Sequence, residues 1–354
     1  MKIFSFFLIL FFLSPQVFAQ DSAALNALRE AYLAKEKGNW GEALRLARPA
    51  GDVGVDLIEW DRLRAGKGEF LATQEFLARR PDWPGLPYLR KRSEVTIKSD
   101  AGAQNVINFF DGQAPGTAQG SLRLAQALAK KGEVDAAIAA AQWGWTSFSM
   151  DADLEQEFRE VFGADLAVAH AARLDMLLWQ AAASSAKRML PSVSSNQVKL
   201  AMARLALQKN KSGIKALMSK VPDSLKADPG LAFDTFQWYL SHKRPAEAIQ
   251  LLLDRSVTAV SLGRVEKWAG PRLSLARDLL WDQSYQKAYH VASSHHLTLS
   301  SAYAELEWLA GFIALRKLKK PKLALVHFKN HETAVGSEIS LGRTHYWQGR
   351  AFQA

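Results

Sequence analysis

Apolar residues recur at intervals of three and four along almost the whole chain, while period-two alternation bounded by turn residues is scarcely found, so the pattern predicts helices throughout. Faces of this kind include Leu25, Leu28, Tyr32 and Leu33; Leu122, Ala125, Leu128 and Ala129; and Leu306, Leu309, Ile313 and Leu315. Val95-Thr96-Ile97 comes nearest to a strand and is too short to be one. Breaks are expected where Gly, Pro or Asn interrupt the pattern: Lys37-Gly38-Asn39, Gly51, Arg80 to Pro87, Gly112 to Gly116, Leu190-Pro191, Val221-Pro222, Gly230, Lys243 to Pro245 and Gly270-Pro271. Trp308 to Phe328 shows the unit most plainly, as two amphipathic helices separated at Lys319-Lys320-Pro321.

The breaks share a register. Ala43-Leu44, Ala137-Ile138, Ala248-Ile249, Ala288-Tyr289 and Ala324-Leu325 each follow a break by a few residues, and the last three alanines are 40 and 36 residues apart. That spacing is close to the period of about 34 to 47 residues of helix-hairpin repeats. Alanine has a physical reason there, because the second helix must approach the first closely and a larger side chain forces them apart. The wider intervals, 94 and 111, mark the repeats as degenerate, and an irregular helical bundle is the competing architecture. Arg80-Pro81-Asp82-Trp83-Pro84-Gly85-Leu86-Pro87 is expected to form a structured corner, since each proline sets one φ and Trp83 offers a large apolar surface.

Before the helices comes a leader. Lys2 is its charged region, Ile3 to Leu13 its apolar core, and Val17-Phe18-Ala19 precedes a cleavage point before Gln20, so residues 1–19 are expected to be a signal peptide. The apolar run is too short for the ~18–20 residues that span a bilayer, which favours cleavage over anchoring. No cysteine occurs anywhere, so neither a disulfide nor a lipoprotein linkage is available. Without Lys2 the chain has 44 basic against 35 acidic residues, a net charge of +9 that favours anionic partners such as cell-wall polymer, lipid head groups or nucleic acid. A solvated basic surface explains the same excess, for no block of five like charges occurs.

No catalytic, cofactor-binding or metal-ligating residue is assigned from the sequence. GxSxG and GxGxxG are absent, and Gly66-Lys67 is followed by Gly68 where a P-loop has Ser or Thr. His327 and His331 stand four apart, but position 328 is Phe where a zincin has Glu and no third ligand is evident. Two solvent-facing histidines are the expectation. His295-His296 reads as capping or turn material at a helix end. Asp151, Asp153, Glu155, Glu157 and Glu160 offer a glycosidase pair on paper, yet acids at a helix N-terminus are accounted for by the dipole. Tyr88-Leu89-Arg90-Lys91-Arg92 is the best nucleic-acid patch, and export argues against that use. Tryptophan stacks on sugars as well as filling cores; Trp60, Trp179, Trp268, Trp308 and Trp347 lie at helical spacing from leucines and are expected in the core.

Three stretches carry a resemblance. Phe76 to Glu94, FLARRPDWPGLPYLRKRSE, holds a PDWPG corner followed by a basic helix; Trp268 to Ser294 holds Arg272, Leu275, Ala276, Arg277, Leu279 and Leu280 before a turn and Ala288-Tyr289. The third holds Trp308-Leu309-Ala310-Gly311, Pro321, Ala324-Leu325, Arg343 and Tyr346-Trp347-Gln348-Gly349-Arg350. Together they reach across almost all of the mature chain, which resembles the N-terminal helical region of the soluble lytic murein transglycosylases, enzymes that cleave peptidoglycan strands in the bacterial periplasm. The resemblance implies an all-α, TPR-like solenoid over 20–338, a right-handed superhelix of helix hairpins curved into a U or ring. It also implies a Gram-negative periplasm and a lysozyme-like catalytic domain at the C-terminal end. The general acid of that domain is a Glu followed by Ser, and neither Glu-Ser nor Gly-Leu-Met-Gln occurs here. Residues 339–354 read as the first helix of another hairpin, with Tyr346, Trp347 and Phe352 on or near one face, and the reading frame is expected to be truncated by a frameshift or a split gene. DNA after codon 354 with no lysozyme-like continuation in any frame, and a stable monomer on expression, overturn that expectation.

The expected function is a periplasmic scaffold in cell-wall turnover that contacts peptidoglycan or cell-wall enzymes and is inactive as this chain alone. Two alternatives stay open: an active transglycosylase whose catalytic part is supplied separately or goes unrecognised, and a free-standing repeat adaptor for protein partners. No stable membrane anchor, nucleic-acid partner or cofactor is expected.

Overall fold

The computed structural model describes residues 16–354. Residues 1–15, and with them most of the expected leader, lie outside the described residues. Among the described residues every regular element is a helix and there is no strand. The protein is all-α, built of helix hairpins. Two compact units meet in sequence between Leu166 and Ala167.

The first unit comprises α1 (Gln16–Glu36), α2 (Trp40–Ala47), α3 (Gly51–Arg64), α4 (Phe70–Arg79), α5 (Leu86–Glu94), α6 (Ala103–Phe110), α7 (Ala118–Lys130), α8 (Val134–Ser147) and α9 (Ala152–Leu166). Most helices pack on their neighbour in sequence, α1 on α2 and α7 on α8 most extensively, with α5 and α6 meeting at most weakly. The second unit comprises α10 (His170–Trp179), α11 (Ala183–Met189), α12 (Ser195–Gln208), α13 (Ile214–Ser219), α14 (Pro229–Ser241), α15 (Pro245–Arg255), α16 (Ala259–Leu262), α17 (Val265–Trp281), α18 (Tyr285–Ser293), α19 (Ser301–Arg316), α20 (Pro321–Ala334) and α21 (Glu338–Phe352). Here α10, α12, α14, α17 and α19 each open a hairpin, and α10 touches α12, α12 touches α14 and α17 touches α19. First helices therefore stack on first helices, the layering of a helical solenoid.

One turn is used six times. At Gly38, Gly132, Ala181, Lys243, Gln283 and Lys319 the backbone enters the left-handed region, with φ between 55° and 81°. The next residue in each case has φ between −78° and −115° and ψ between 55° and 74°, and then the second helix begins. In five of the turns that residue donates its N–H to the carbonyl five positions back, as Asn39 does to Ala34 and Ser284 to Leu279, closing the last turn of the first helix as a Schellman motif does. Four residues into each second helix stands an alanine: Ala43, Ala137, Ala186, Ala248, Ala288 and Ala324, none more than 1% exposed. The sequence pattern finds five of them. Ala186, which divides the interval of 111 residues, escapes it because Ala181-Ala182 carries no Gly, Pro or Asn.

Only Gly38 and Gly132 supply the turn's left-handed residue with glycine; Lys243, Gln283 and Lys319 adopt it against their side chains. Gln283→Gly is therefore expected to stabilise by about 0.5–1 kcal/mol and Gly132→Ala to destabilise by about 1 kcal/mol, read from urea midpoints at constant m-value.

Three expectations are corrected. Gly270-Pro271 does not break the chain, for Pro271 lies inside α17. A proline mid-helix removes one hydrogen bond, and the glycine before it, lacking a Cβ, eases the clash that normally drives that residue out of helical geometry. In α1, Leu25 and Leu33 face solvent, at 67% and 50% exposure, while Ala31 and Ala34 pack against Ala43, Ala47 and Ile58. Close approach of short helices selects the small residues over the large. In α21, Trp347 turns inward against Phe312 and Phe328 while Tyr346 and Phe352 stand exposed. At ~100° per residue, Trp347 and Phe352 are about 140° apart and cannot share a face.

The corner forms as expected. Trp83 packs edge-on to Phe76 at 5.4 Å and to Trp60 at 6.1 Å, and Trp60 Nε1 donates to the Pro84 carbonyl at 3.0 Å. Beneath it, buried Asp56 accepts from Arg79 and from Arg80, each at 2.6 Å, so the Arg79-Arg80 pair that precedes the prolines is pinned to α3.

Candidate functional site

Among the described residues of the second unit are two buried polar constructions of several side chains each, and an open groove. The first construction centres on Glu307 of α19, which is 4% exposed. His295 Nε2 donates to its Oε1 at 2.9 Å, and His327 Nδ1 and Asn330 Nδ2 donate to its Oε2 at 2.8 and 3.0 Å. The tautomers follow from the outer bonds. The Leu297 N–H donates to His295 Nδ1 at 3.0 Å, which leaves the proton on Nε2; the Tyr289 hydroxyl reaches His327 Nε2 at 2.9 Å, which leaves the proton on Nδ1. Burial pushes the Glu307 carboxyl up, but the bonds from His295, His327 and Asn330 outweigh it and hold the group at about 2. With Tyr289 on α18, His295 in the following loop and His327 and Asn330 on α20, one carboxylate ties two consecutive hairpins together.

Arg204 of α12 is fully buried and forms the second. Its Nε donates to Asp234 Oδ2 at 2.7 Å and its Nη1 to Asp175 Oδ1 at 2.9 Å. A Cβ at position 230 would lie 2.2 Å from the guanidinium, so the glycine at the start of α14 is what admits it. Burial pushes the Asp234 carboxyl up, against the pull of Arg204 and Gln208. Gln208 Nε2 bridges the Leu178 carbonyl at 2.8 Å and Asp234 Oδ1 at 3.0 Å, two acceptors that orient the amide and leave its Oε1 buried without a donor.

Above this cluster lies a groove of about 560 Å³. Its wall is drawn from four first helices: Leu178 and Trp179 of α10, Leu207 and Gln208 of α12, Phe233 to Ser241 of α14, and Lys267 and Pro271 of α17. Trp179 packs on Phe233 at 5.4 Å, and Trp238 stacks on His242 at 4.3 Å with its Nε1 held by Asn210. Pro271 has no N–H for the Lys267 carbonyl, so that acceptor loses its helical donor at the groove wall. The layer that a solenoid presents to a partner is thus broken here by a mixed aromatic and polar hollow.

His327 and His331 share a face of α20, but the expectation that they face solvent is wrong: they are 7% and 1% exposed, and they serve different partners. His331 bonds Thr344 Oγ1 at 2.7 Å and Arg343 Nη2 at 3.3 Å, and burial, then the Arg343 charge, push it below the ordinary histidine range. His295, expected as capping or turn material, is a buried anchor instead, whereas His296 does lie in the turn and meets the Ser256 carbonyl at 2.8 Å. At the start of α9, Asp151 Oδ1 accepts from the Leu154 N–H at 2.9 Å, a capping bond at the helix N-terminus where the dipole account places the acidic run. Glu157 turns away to Arg123 and Gln126, and the Arg123 bond holds its carboxyl below the usual range, so the five acids do not converge. In the Tyr88 to Arg92 patch, Leu89 is buried and Arg90 donates to the Phe109 carbonyl, leaving Tyr88, Lys91 and Arg92 to solvent. Trp179 and Trp268 are core residues as expected; Trp60, Trp308 and Trp347 are half-buried at the edges of cores.

Glu307, Arg204 and Asp234 are missed by motif reasoning. A signal for the first exists: Glu307 falls on the stripe Tyr303, Ala310, Ala314, and a carboxylate on a buried stripe requires donors from elsewhere in the fold. No protein-family model matches the chain, and no curated protein matches it.

Proposed function

We propose that this protein is a periplasmic scaffold in cell-wall turnover, of the kind formed by the superhelical region of soluble lytic murein transglycosylases, and that it holds peptidoglycan or enzymes that act on it. The observation that carries the reading is the stacking of first helices in the second unit, repeated through one turn geometry and one buried alanine per hairpin. Such a stack offers an extended layer for a long partner. The PDWPG corner, folded around Trp60, Trp83 and Phe76, and the net charge of +10 add support, the latter through attraction to an anionic wall that weakens with salt.

Purified sacculi test it. The chain is expected to be retained at low salt and released as salt rises, without solubilising the wall. No retention at low salt overturns the reading, and co-purification with a protein partner in that case establishes the adaptor instead. Release of anhydro-muropeptides by the chain alone establishes the enzyme.

A further inference from the structure

We propose that the groove over α10, α12, α14 and α17 is a saccharide-binding site that takes a short run of sugar rings. The inference rests on the scaffold reading only for the source of the sugar; the chemistry of the groove stands by itself. A sugar ring combines apolar C–H faces with a rim of hydroxyls, so it needs an aromatic surface beside groups that both donate and accept. The groove has both. Phe233 and Trp238, both half-buried, supply the apolar surface, backed by the buried ring of Trp179. Gln237 is half-buried on the wall, and its amide has no hydrogen-bond partner within the protein. Lys267 is exposed and unpaired and its carbonyl has lost its helical donor to Pro271, whereas the Ser241 hydroxyl on the same wall is already engaged by the Trp238 carbonyl at 2.9 Å and His242 Nδ1 at 3.0 Å.

The polar balance separates this ligand from an apolar one. Gln237 on the wall offers an amide N–H₂ and an amide oxygen that no protein group engages, and the Lys267 carbonyl, without its helical donor, is a further acceptor. A hydroxyl-rich ligand meets acceptors that a hydrocarbon leaves unpaired. At about 560 Å³ the volume falls within the ~300–1,000 Å³ of small-ligand sites. The site exists only because four consecutive first helices stack, so it is a property of the repeat layer and not of any one hairpin.

The test is titration of the full mature chain with chitotetraose and cellotetraose, followed by tryptophan fluorescence and calorimetry, with a tetrapeptide as the competing probe. Saturable binding of either saccharide is expected, weakened about tenfold by Gln237→Ala and by Trp238→Ala. Gln237→Ala removes an amide with no protein partner, so it leaves the fold intact and keeps the test valid if Trp238→Ala unfolds. No saturable saccharide binding, binding that Gln237→Ala leaves unchanged, or binding of the tetrapeptide alone overturns the proposal. The two readings separate cleanly: sacculus retention without saccharide binding in this groove removes the site and leaves the scaffold, while saccharide binding without sacculus retention removes the scaffold and leaves the site.

Discussion

Glu307→Gln is expected to destabilise the protein by about 3 to 5 kcal/mol, measured by urea unfolding at pH 7. All the hydrogen bonds to this carboxylate come from donors: His295 Nε2, His327 Nδ1 and Asn330 Nδ2. An amide of the same shape turns an N–H₂ toward at least one of them, leaving a buried donor facing a donor. The pH dependence carries the second half of the test. The Glu307 carboxyl titrates at about 2 in the folded protein against an ordinary value of 4.5, so the unfolded chain takes up its proton first as the pH falls. The stability it contributes, about 2 kcal/mol after allowance for solvent screening, is therefore present above pH 4.5 and lost between about 4.5 and 2. His331 acts earlier in an acid titration. Its folded value lies below 6.5, so its contribution is present above 6.5 and begins to fall as the pH drops through that value. Wild-type stability should decline in two stages, and Glu307→Gln should remove Glu307's share of the lower one, leaving the part contributed by other carboxylates held below their ordinary values, such as Asp56 and Glu157. A variant as stable as wild type at pH 7, or an unchanged decline below pH 4.5, contradicts the assignment.

Ala288→Leu is expected to cost about 3 kcal/mol, against a change within about 0.5 kcal/mol for Lys287→Leu one residue earlier. Ala288 is fully buried at the fourth position of α18 and belongs to a core that includes Ala276 and Leu279 of α17. The turn at Gln283 and Ser284 sets how the two helices leave it, so the added isobutyl group can be accommodated only by splaying the hairpin or by an off-rotamer side chain. Exposed Lys287 has neither constraint. The same substitution at Ala248 or Ala324 should cost a similar amount, because each stands at the same place after the same turn. Tolerance at Ala288 would mean that the spacing of these helices is not set at this level. The hairpin of α19 and α20 shows the same logic with glycine: a Cβ on Gly311 would lie 2.6 Å from the Phe328 ring.

Most of the architecture was legible in the residues. Helical periodicity, the Lys37 to Asn39, Lys243 to Pro245 and Lys319 to Pro321 breaks, five of six hairpin alanines and the PDWPG corner all depend on local rules, backbone sterics and side-chain size at short range, and local rules are written in the chain. The exceptions are instructive for the same reason. Pro271 is a breaker by local rule, yet packing around Trp268, Leu275 and Leu279 keeps α17 whole across it. Leu25 and Leu33 look like a core face by local rule, yet Ala31 and Ala34 win the interface.

The candidate site was far less legible. Trp179, Phe233, Trp238 and Lys267 lie on three helices spread over nearly ninety positions, and nothing in their spacing announces a common groove. His327 and His331 stand four apart and look like a pair, but His327 is claimed by Glu307, twenty residues away, and His331 by Thr344, thirteen away. What the sequence alone determined about this protein is its helices, their turns and the close-packed positions after each turn, because these follow from interactions within one hairpin. Which polar groups are buried together, and which are left open on a shared wall, only the tertiary structure decided. Those outcomes depend on which hairpins stack and in what register, and the free energy of a buried charge is set by partners that the chain brings near only when it folds.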